Sequence, residues 1–333
     1  MRVLYDRPVV CQRVLPSSLL LGLLSACASG PAIGAISELS AAAPADTLAA
    51  VAVTAELITR LSEDPRIIAP IEALAAAASA LSPAGAGPVD LAREIERVAW
   101  LDVFVLEHAF ALVVSAKKRF PARFLGWSIG ATPGFRYRWS GDAVDRLLHW
   151  RGHGYDIALF HDAIVVAPTP VAGTGDGSAL EEVVAALRTA SNESSSVSGV
   201  RGQADLLIYL PSAAATIASL SDGDTADLMA ASLPLGEFAA AVSRNRVSAV
   251  EREYAVEATL AITSPPARRY VPLVRLALLP FLIELDIPVT RMAGMRVDAA
   301  STGDIITLAG LLLSKKELTA ILARAVAGLT PDG

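Results

Sequence analysis

Cysteine, histidine and aromatic residues are all scarce in this 333-residue chain. There are two cysteines and four histidines, and aromatic residues make up 5% of the sequence. Both cysteines, Cys11 and Cys27, lie close to the start of the chain. The remainder of the sequence can therefore form neither a disulfide nor a cysteine-ligated metal site.

An excess of basic residues is also missing. The chain has 28 Lys and Arg against 34 Asp and Glu, a net charge of −6. Because binding to phosphates requires a basic surface, this balance argues against a nucleic acid partner. Apolar residues are abundant at 53%, and the mean hydropathy is +0.49. Such values fit either a tightly packed, Ala-rich domain or one that exposes an apolar groove or membrane-contacting face.

The first 27 residues have the organisation of a secretion signal. Three arginines precede an apolar run over residues 19–26, which is far shorter than the roughly 20 residues that a transmembrane helix requires. The run ends in Leu24-Ser25-Ala26-Cys27. This sequence resembles the lipobox of bacterial lipoproteins, in which a Leu, two small residues and a Cys are read by the processing enzymes.

The resemblance implies a signal peptide over residues 1–26, cleavage before Cys27, and acyl chains such as palmitate on Cys27. The mature protein would then be held on a membrane by its lipid. Removal of three basic residues and one acidic residue changes the net charge from −6 to −8. Ala28 stands where an Asp would favour retention at the inner membrane, which favours the outer membrane, facing the periplasm.

The remaining chain predicts an α+β fold with two similar lobes of mainly antiparallel sheet packed with helices. Residues 27–44 are rich in Ala, Gly, Pro and Ser and predict a flexible tether. We expect a first lobe over 45–190 and a second over 203–330, separated by a polar linker. Strands are predicted at 47–53 and 252–263, a hairpin at 101–116 and 123–131, and a helix at 271–285. A capping box of Ser314 and Glu317 predicts the start of a terminal helix.

Matching residues suggest that the second lobe duplicates the first. Ala45-Asp46 aligns with Ala204-Asp205 at an offset of 159, and Leu61-Ser62 aligns with Leu220-Ser221 at the same offset. The alternative is chance matching in a chain rich in Ala and Leu. Residues 44–49, Pro-Ala-Asp-Thr-Leu-Ala, also resemble the start of uncharacterised bacterial exported proteins built from two such halves.

Two patterns raise the possibility of an enzyme. A helix predicted from Gly141 to Trp150 would, if it continued, carry His149 and His153 on one face, with His161 nearby, as a metal site requires. Gly152 interrupts that helix, so these histidines also fit ordinary helix-end or surface positions. Residues 126–130, Gly-Trp-Ser-Ile-Gly, match the nucleophile elbow of hydrolases at Ser128. However, Thr-Pro-Gly at 132–134 cannot open the helix that an elbow needs.

We expect no catalytic activity, no cofactor and no resident metal. The predicted function is that of a membrane-anchored envelope lipoprotein that binds a lipid-like ligand or a protein partner. The alternative is a hydrolase or metal-dependent enzyme centred on Ser128 or on the region of His149, His153 and His161. A speculative binding surface consists of aromatic residues, namely Trp127, Phe135, Tyr137, Trp139 and Trp150. The apolar stretch 271–285 is either a central buried element or one wall of a lipid-accepting groove.

Overall fold

The fold is seen in a computed structural model, which describes most of the chain after residue 38. The described residues are 39–61, 98–117, 126, 129–131, 133–140, 147–160, 163–170, 178–192, 204–220, 234–244, 254–284, 287–299 and 303–329. The predicted signal peptide and Cys27 lie outside this part of the chain. The α+β fold class predicted from the sequence is confirmed: antiparallel strands form one sheet, and helices pack against it.

The sheet has twelve strands, most of them rich in Val, Ile, Leu and Ala, which suit a pleated, largely buried surface. They are β1 (Thr47–Thr54), β2 (Val98–Leu106), β3 (Phe110–Ala116), β4 (Arg136–Ser140), β5 (Leu147–Gly152), β6 (Tyr155–Leu159), β7 (Ala163–Pro168), β8 (Ala204–Leu210), β9 (Leu235–Arg244), β10 (Tyr254–Ile262), β11 (Arg296–Ala299) and β12 (Ile305–Leu313). Their spatial order is β11-β12-β10-β9-β8-β1-β2-β3-β7-β6-β5-β4.

Five helices lie among the described residues: α1 (Ala55–Leu61), α2 (Ala179–Asn192), α3 (Ala213–Leu220), α4 (Val271–Glu284) and α5 (Lys315–Leu329). Hydroxyl side chains cap three of them by accepting backbone N–H groups of the first turn. Thr54 Oγ1 accepts from Leu57 N in α1, Ser212 Oγ accepts from Ala215 N in α3, and Ser314 Oγ accepts from Glu317 N in α5. The predicted capping box of Ser314 and Glu317 is therefore confirmed.

The two halves of the chain meet at the middle of the sheet, where β1 pairs with β8 in antiparallel register from Ala50↔Tyr209 to Val53↔Leu206. From this seam outward the first half runs β1-β2-β3-β7-β6 and continues to β5-β4, and the second runs β8-β9-β10-β12-β11. Each half also places a short capped helix after its first strand and a longer helix after its last. This order supports the predicted duplication, which we retain as a hypothesis.

Buried side chains form a core on each side of the seam. One cluster, centred on Phe104, Phe160 and Leu180, packs beneath α2 in the first half. A second cluster includes Tyr254, Leu206 and Leu318, and so joins β8, β10 and α5. A third, with Leu260 and Val274, lies under α4.

The segment just before β1 belongs to the first of these clusters. Leu39 is 4% exposed and Ala42 is fully buried. The flexible tether predicted for residues 27–44 therefore does not extend through Leu39 and Ala42, which are packed in the core. An Ala-rich sequence does not by itself distinguish a packed segment from a flexible one.

Two local predictions are wrong. The hairpin predicted between 101–116 and 123–131 is instead formed by β2 and β3, and a hydrogen bond from Leu106 N to Ala109 O closes its turn at 107–109. This turn has no sequence signal, because residues 107–109 include no Gly, Pro, Asn or Asp. The helix predicted to end near Trp150 is also wrong, since β5 occupies Leu147–Gly152 and pairs with β4 and β6.

Candidate functional site

Helix α4 carries apolar residues on both its buried and its exposed sides. Val274 and Leu282 face the core and are 5% and 2% exposed. A helix has about 3.6 residues per turn, so Leu273, Leu276 and Ile283 share the opposite side. These three side chains are 43%, 61% and 65% exposed. We call Leu273, Leu276 and Ile283 the α4 stripe.

The exposed stripe is unusual because a helix that is apolar all round is normally buried in a large core or in a membrane. Within the described part of the chain, the sheet and its connections cover the side of α4 that carries Val274 and Leu282. Val289, in the 3-10 turn that follows at Val289–Gly294, adds another exposed aliphatic side chain at 46%. Among the described residues, no helix is both long and apolar enough to cross a bilayer.

Basic residues flank the beginning of α4. Arg268 and Arg269 are exposed in the 3-10 turn Ala267–Tyr270, which leads directly into the helix. Arg275, within the helix, directs Nη2 toward the Val297 carbonyl at 3.3 Å. The beginning of α4 is thus basic, although the helix ends in Glu284 and the whole chain is acidic.

The predicted aromatic surface lies in the first half of the sheet, at β4 and β5. Tyr137 is 41% exposed and makes an edge-to-face contact with Trp150, with ring centroids 5.4 Å apart. Trp150 is only 4% exposed, because it packs with Leu159 beneath the sheet. Phe135 is half-buried and contacts the His153 ring at 5.2 Å.

Within this predicted aromatic surface, the Tyr137 side chain is exposed, whereas Trp150 packs in the core. Trp139 is in β4, and Trp127 lies outside the described residues.

Of the histidine candidates, His149 is held in a structural network. His149 is 3% exposed in β5, and its Nε2 lies 3.6 Å from Asp156 Oδ1. Arg151 donates two hydrogen bonds of 2.6 Å to the fully buried Asp156, and Thr169 donates a third at 3.3 Å. The hydrogen bond to Asp156 raises the pKa of the Arg151 guanidinium. Asp156 is thereby committed to neutralising Arg151.

His153 does not join this network. It sits in the β5–β6 turn, where its Nε2 lies 2.7 Å from the Pro133 carbonyl oxygen. In an extended strand, residues four apart are separated by about 13 Å, so the helix face predicted for His149 and His153 is absent. Ser128 and His161 lie outside the described residues.

Comparisons with known proteins give structural similarity only. No family model matches the chain, and no curated protein matches it. The chain is similar to solved structures of crystal forms III, IV and I of TP0453. The TM-scores are 0.46, 0.47 and 0.45, and the sequence identities are 12%, 11% and 12%. Each alignment covers 86% of this chain and 97%, 96% and 97% of the respective TP0453 chains. What this protein does must be inferred from its own residues.

Proposed function

We propose that this protein is a lipoprotein of the bacterial cell envelope, anchored through lipid on Cys27, which binds a bilayer surface through the α4 stripe. Its role is one of binding or assembly without catalysis. The observation that carries the proposal is the exposure of Leu273, Leu276 and Ile283 together on one side of α4. The Leu-Ser-Ala-Cys sequence supports the anchor, and Ala28 supports location at the outer membrane.

The free energy available from the α4 stripe is small and suits a protein that is already tethered. Complete burial of a Leu or Ile side chain contributes about 1.5–3 kcal/mol. With roughly half of each side chain already covered, the three residues together would contribute about 3 kcal/mol. A lipid anchor converts such a weak contact into an intramolecular one at high effective concentration.

Electrostatics sets the preferred lipid. Arg268 and Arg269 precede the stripe and are exposed, and each basic residue near an anionic leaflet contributes about 1 kcal/mol. The negative net charge of the chain opposes adsorption of the whole protein to an anionic bilayer. Electrostatic attraction to anionic lipid is therefore confined to Arg268 and Arg269 at the beginning of α4. A bilayer that contains phosphatidylglycerol is therefore the expected surface.

Charge placed on the stripe tests the contact. In a chain with Cys27→Ser, which removes the anchor, we expect weak flotation with vesicles of phosphatidylethanolamine and phosphatidylglycerol. The double variant Leu276→Asp/Ile283→Asp should lose at least tenfold in bound fraction, because two carboxylates would have to enter lipid. Ala215→Asp, on an exposed position of α3, is the matched control and should float normally. Equal binding by the double variant and the control would show that the stripe is not the contact.

A fluorescent probe tests the same contact in the anchored protein. After processing, Cys27 is acylated and the mature chain has no other cysteine, so Leu276→Cys introduces a unique thiol for an environment-sensitive dye. The emission should shift to the blue when vesicles receive the lipidated protein, whereas a dye at Glu181→Cys on α2 should not respond. If Cys27→Ser leaves the protein in the carbonate-washed membranes of its host, the lipid anchor is wrong even if the stripe binds lipid.

A further inference from the structure

Three side chains that can bind metal ions meet where the first half of the sheet begins. Asp46 immediately precedes β1, His108 lies in the β2–β3 turn, and Glu182 lies in the first turns of α2. One ligand atom from each residue lies within 4.8 Å of the other two. The Glu107 backbone N–H donates to the Asp46 carbonyl at 3.3 Å, which holds the turn against the start of β1.

One oxygen of each carboxylate lacks the hydrogen bond that a shielded acceptor normally has. Asp46 Oδ2 and Glu182 Oε2 are shielded from solvent, and neither oxygen accepts a hydrogen bond from a described residue. His108 Nδ1 lies 3.4 Å from Asp46 Oδ2, beyond the usual range for an N–H···O bond. Shielded, unpaired acceptors of this kind require an explanation, and a cation is one that satisfies both together.

We infer that Asp46, His108 and Glu182 form a binding site for a divalent transition-metal ion. One imidazole nitrogen with two carboxylate oxygens is a donor set suited to zinc or manganese. Metal–ligand distances of about 2.0–2.2 Å require the three side chains to draw together slightly from their present separations. Because His108 and Asp46 are each about one-quarter exposed, an ion can reach the site from solvent and keep a water ligand.

The site would tie three separate elements together through one ion. Asp46 is joined to β1, His108 to the β2–β3 turn and Glu182 to α2, and the segment that contains Leu39 and Ala42 leads into the same corner of the core. Occupancy would therefore stabilise the corner from which the predicted tether departs. This inference is independent of lipid binding by α4, which lies in the other half of the sheet.

Metal binding to the full processed protein tests the inference. The detergent-solubilised protein is stripped with a chelator, dialysed against Zn²⁺ or, separately, Mn²⁺, and analysed for bound metal by elemental mass spectrometry. One equivalent of one of these ions is expected. His108→Ala and Glu182→Gln should each weaken binding by more than about tenfold, since even outer-shell changes weaken metal affinity by 10- to 100-fold. Glu181→Gln, the exposed neighbour of Glu182, is the matched control and should retain full binding.

Thermal unfolding provides a second readout that does not depend on the bound-metal measurement. An ion that binds only the folded state raises Tm, so the metal should raise the Tm of the wild type and of Glu181→Gln but not that of His108→Ala. Failure of the wild type to bind a stoichiometric ion would overturn the site. Equal binding by wild type and His108→Ala would overturn it as well.

Discussion

The two halves of the sheet share an order of strands but differ in how they treat the same acidic position. Asp46 and Asp205 align at the start of the two central strands, β1 and β8. Asp205 Oδ2 lies 4.0 Å from Arg60 Nη1, which α1 of the other half supplies. Asp46 instead faces His108 and a second carboxylate, Glu182. Asp205 therefore has an arginine nearby that also pairs with Glu56, whereas Asp46 has a histidine and a second carboxylate beside it.

The segments inserted before the final strands also differ. The first half carries β4 and β5, whose aromatic residues are partly absorbed into a small core. The second half carries α4, whose outer side remains exposed and apolar. Both halves share one order of strands, and they differ in the inserted segments and in single charges. The comparison teaches that the strand layout is repeated, whereas the exposed apolar side chains and the surroundings of the acids are not.

The largest difference in stability is expected between Asp156 and Asp298, which lie in the corresponding strands β6 and β11. Asp156 is fully buried under Arg151, whereas Asp298 is exposed. Asp156→Asn should lower the free energy of unfolding by about 3 kcal/mol, since it leaves a charged partner without its acid; the partial exposure of Arg151 limits the loss. Asp298→Asn should change it by less than about 0.5 kcal/mol. Chemical denaturation would measure both, and equal losses would remove the contrast.

A smaller difference is expected between two glycines with positive φ. Gly310 has φ +82°, and a Cβ there would lie 2.5 Å from the Gly294 carbonyl oxygen. Gly154 has φ +81°, but a Cβ there would meet no atom within 4 Å. Gly310→Ala should lower the free energy of unfolding by at least about 2 kcal/mol, because overpacking adds to backbone strain. Gly154→Ala should lower it by about 1 kcal/mol, from strain alone. Thermal denaturation that ranked the two in reverse would contradict this explanation.

The smallest difference concerns two helices that follow the sequence Ser-x-x-Glu. In α5, Glu317 accepts from Ser314 N at 2.7 Å and from Arg291 at 3.2 Å. At α2, the Ser178 Oγ has no hydrogen-bond partner among described residues, and Glu181 is exposed. Glu317→Ala should lower the free energy of unfolding by about 1 kcal/mol, and Glu181→Ala should have little effect.

The contribution of Glu317 to the free energy of unfolding should also depend on pH. Burial opposes ionisation of Glu317, but the hydrogen bonds from Ser314 and then Arg291 outweigh it and lower its pKa. A carboxyl with a lowered pKa in the folded state stabilises the fold above its unfolded pKa, and this contribution is lost as the pH falls through the folded pKa. The difference between wild type and Glu317→Ala should therefore shrink in acid. A difference that stayed constant from neutral to acidic pH would contradict the assigned charge.

Local patterns were enough to locate several elements. The strand predicted at 47–53 is β1, the strand at 252–263 is β10, and the helix at 271–285 is α4. Alternating or continuous apolar residues bounded by Pro or polar residues determine such elements within a short window. The β5 strand was missed because its Leu-Leu-His-Trp-Arg sequence has no strict alternation, and pairing with β4 and β6 decides its conformation.

The candidate sites were less predictable than the elements. The stretch that contains α4 was recognised as apolar, but its exposed side depends on which neighbours cover it. No sequence pattern links His108 with Asp46 and Glu182, because both acids are distant from it in the chain. A turn and a helix that pack at the start of β1 bring the three together, and no short motif records that arrangement.

By itself, the sequence determined the positions of the most periodic strands and helices, the absence of disulfides beyond Cys27, and an acidic net charge. These properties follow from composition and from residues close in the chain. Only the tertiary structure decided that β1 pairs with β8 between the two halves and that Asp156 forms an ion pair with Arg151. It also decided that Asp46 lies beside His108 and Glu182, and that the α4 stripe is exposed. Each of these depends on contacts between distant residues, which strand pairing and helix packing create.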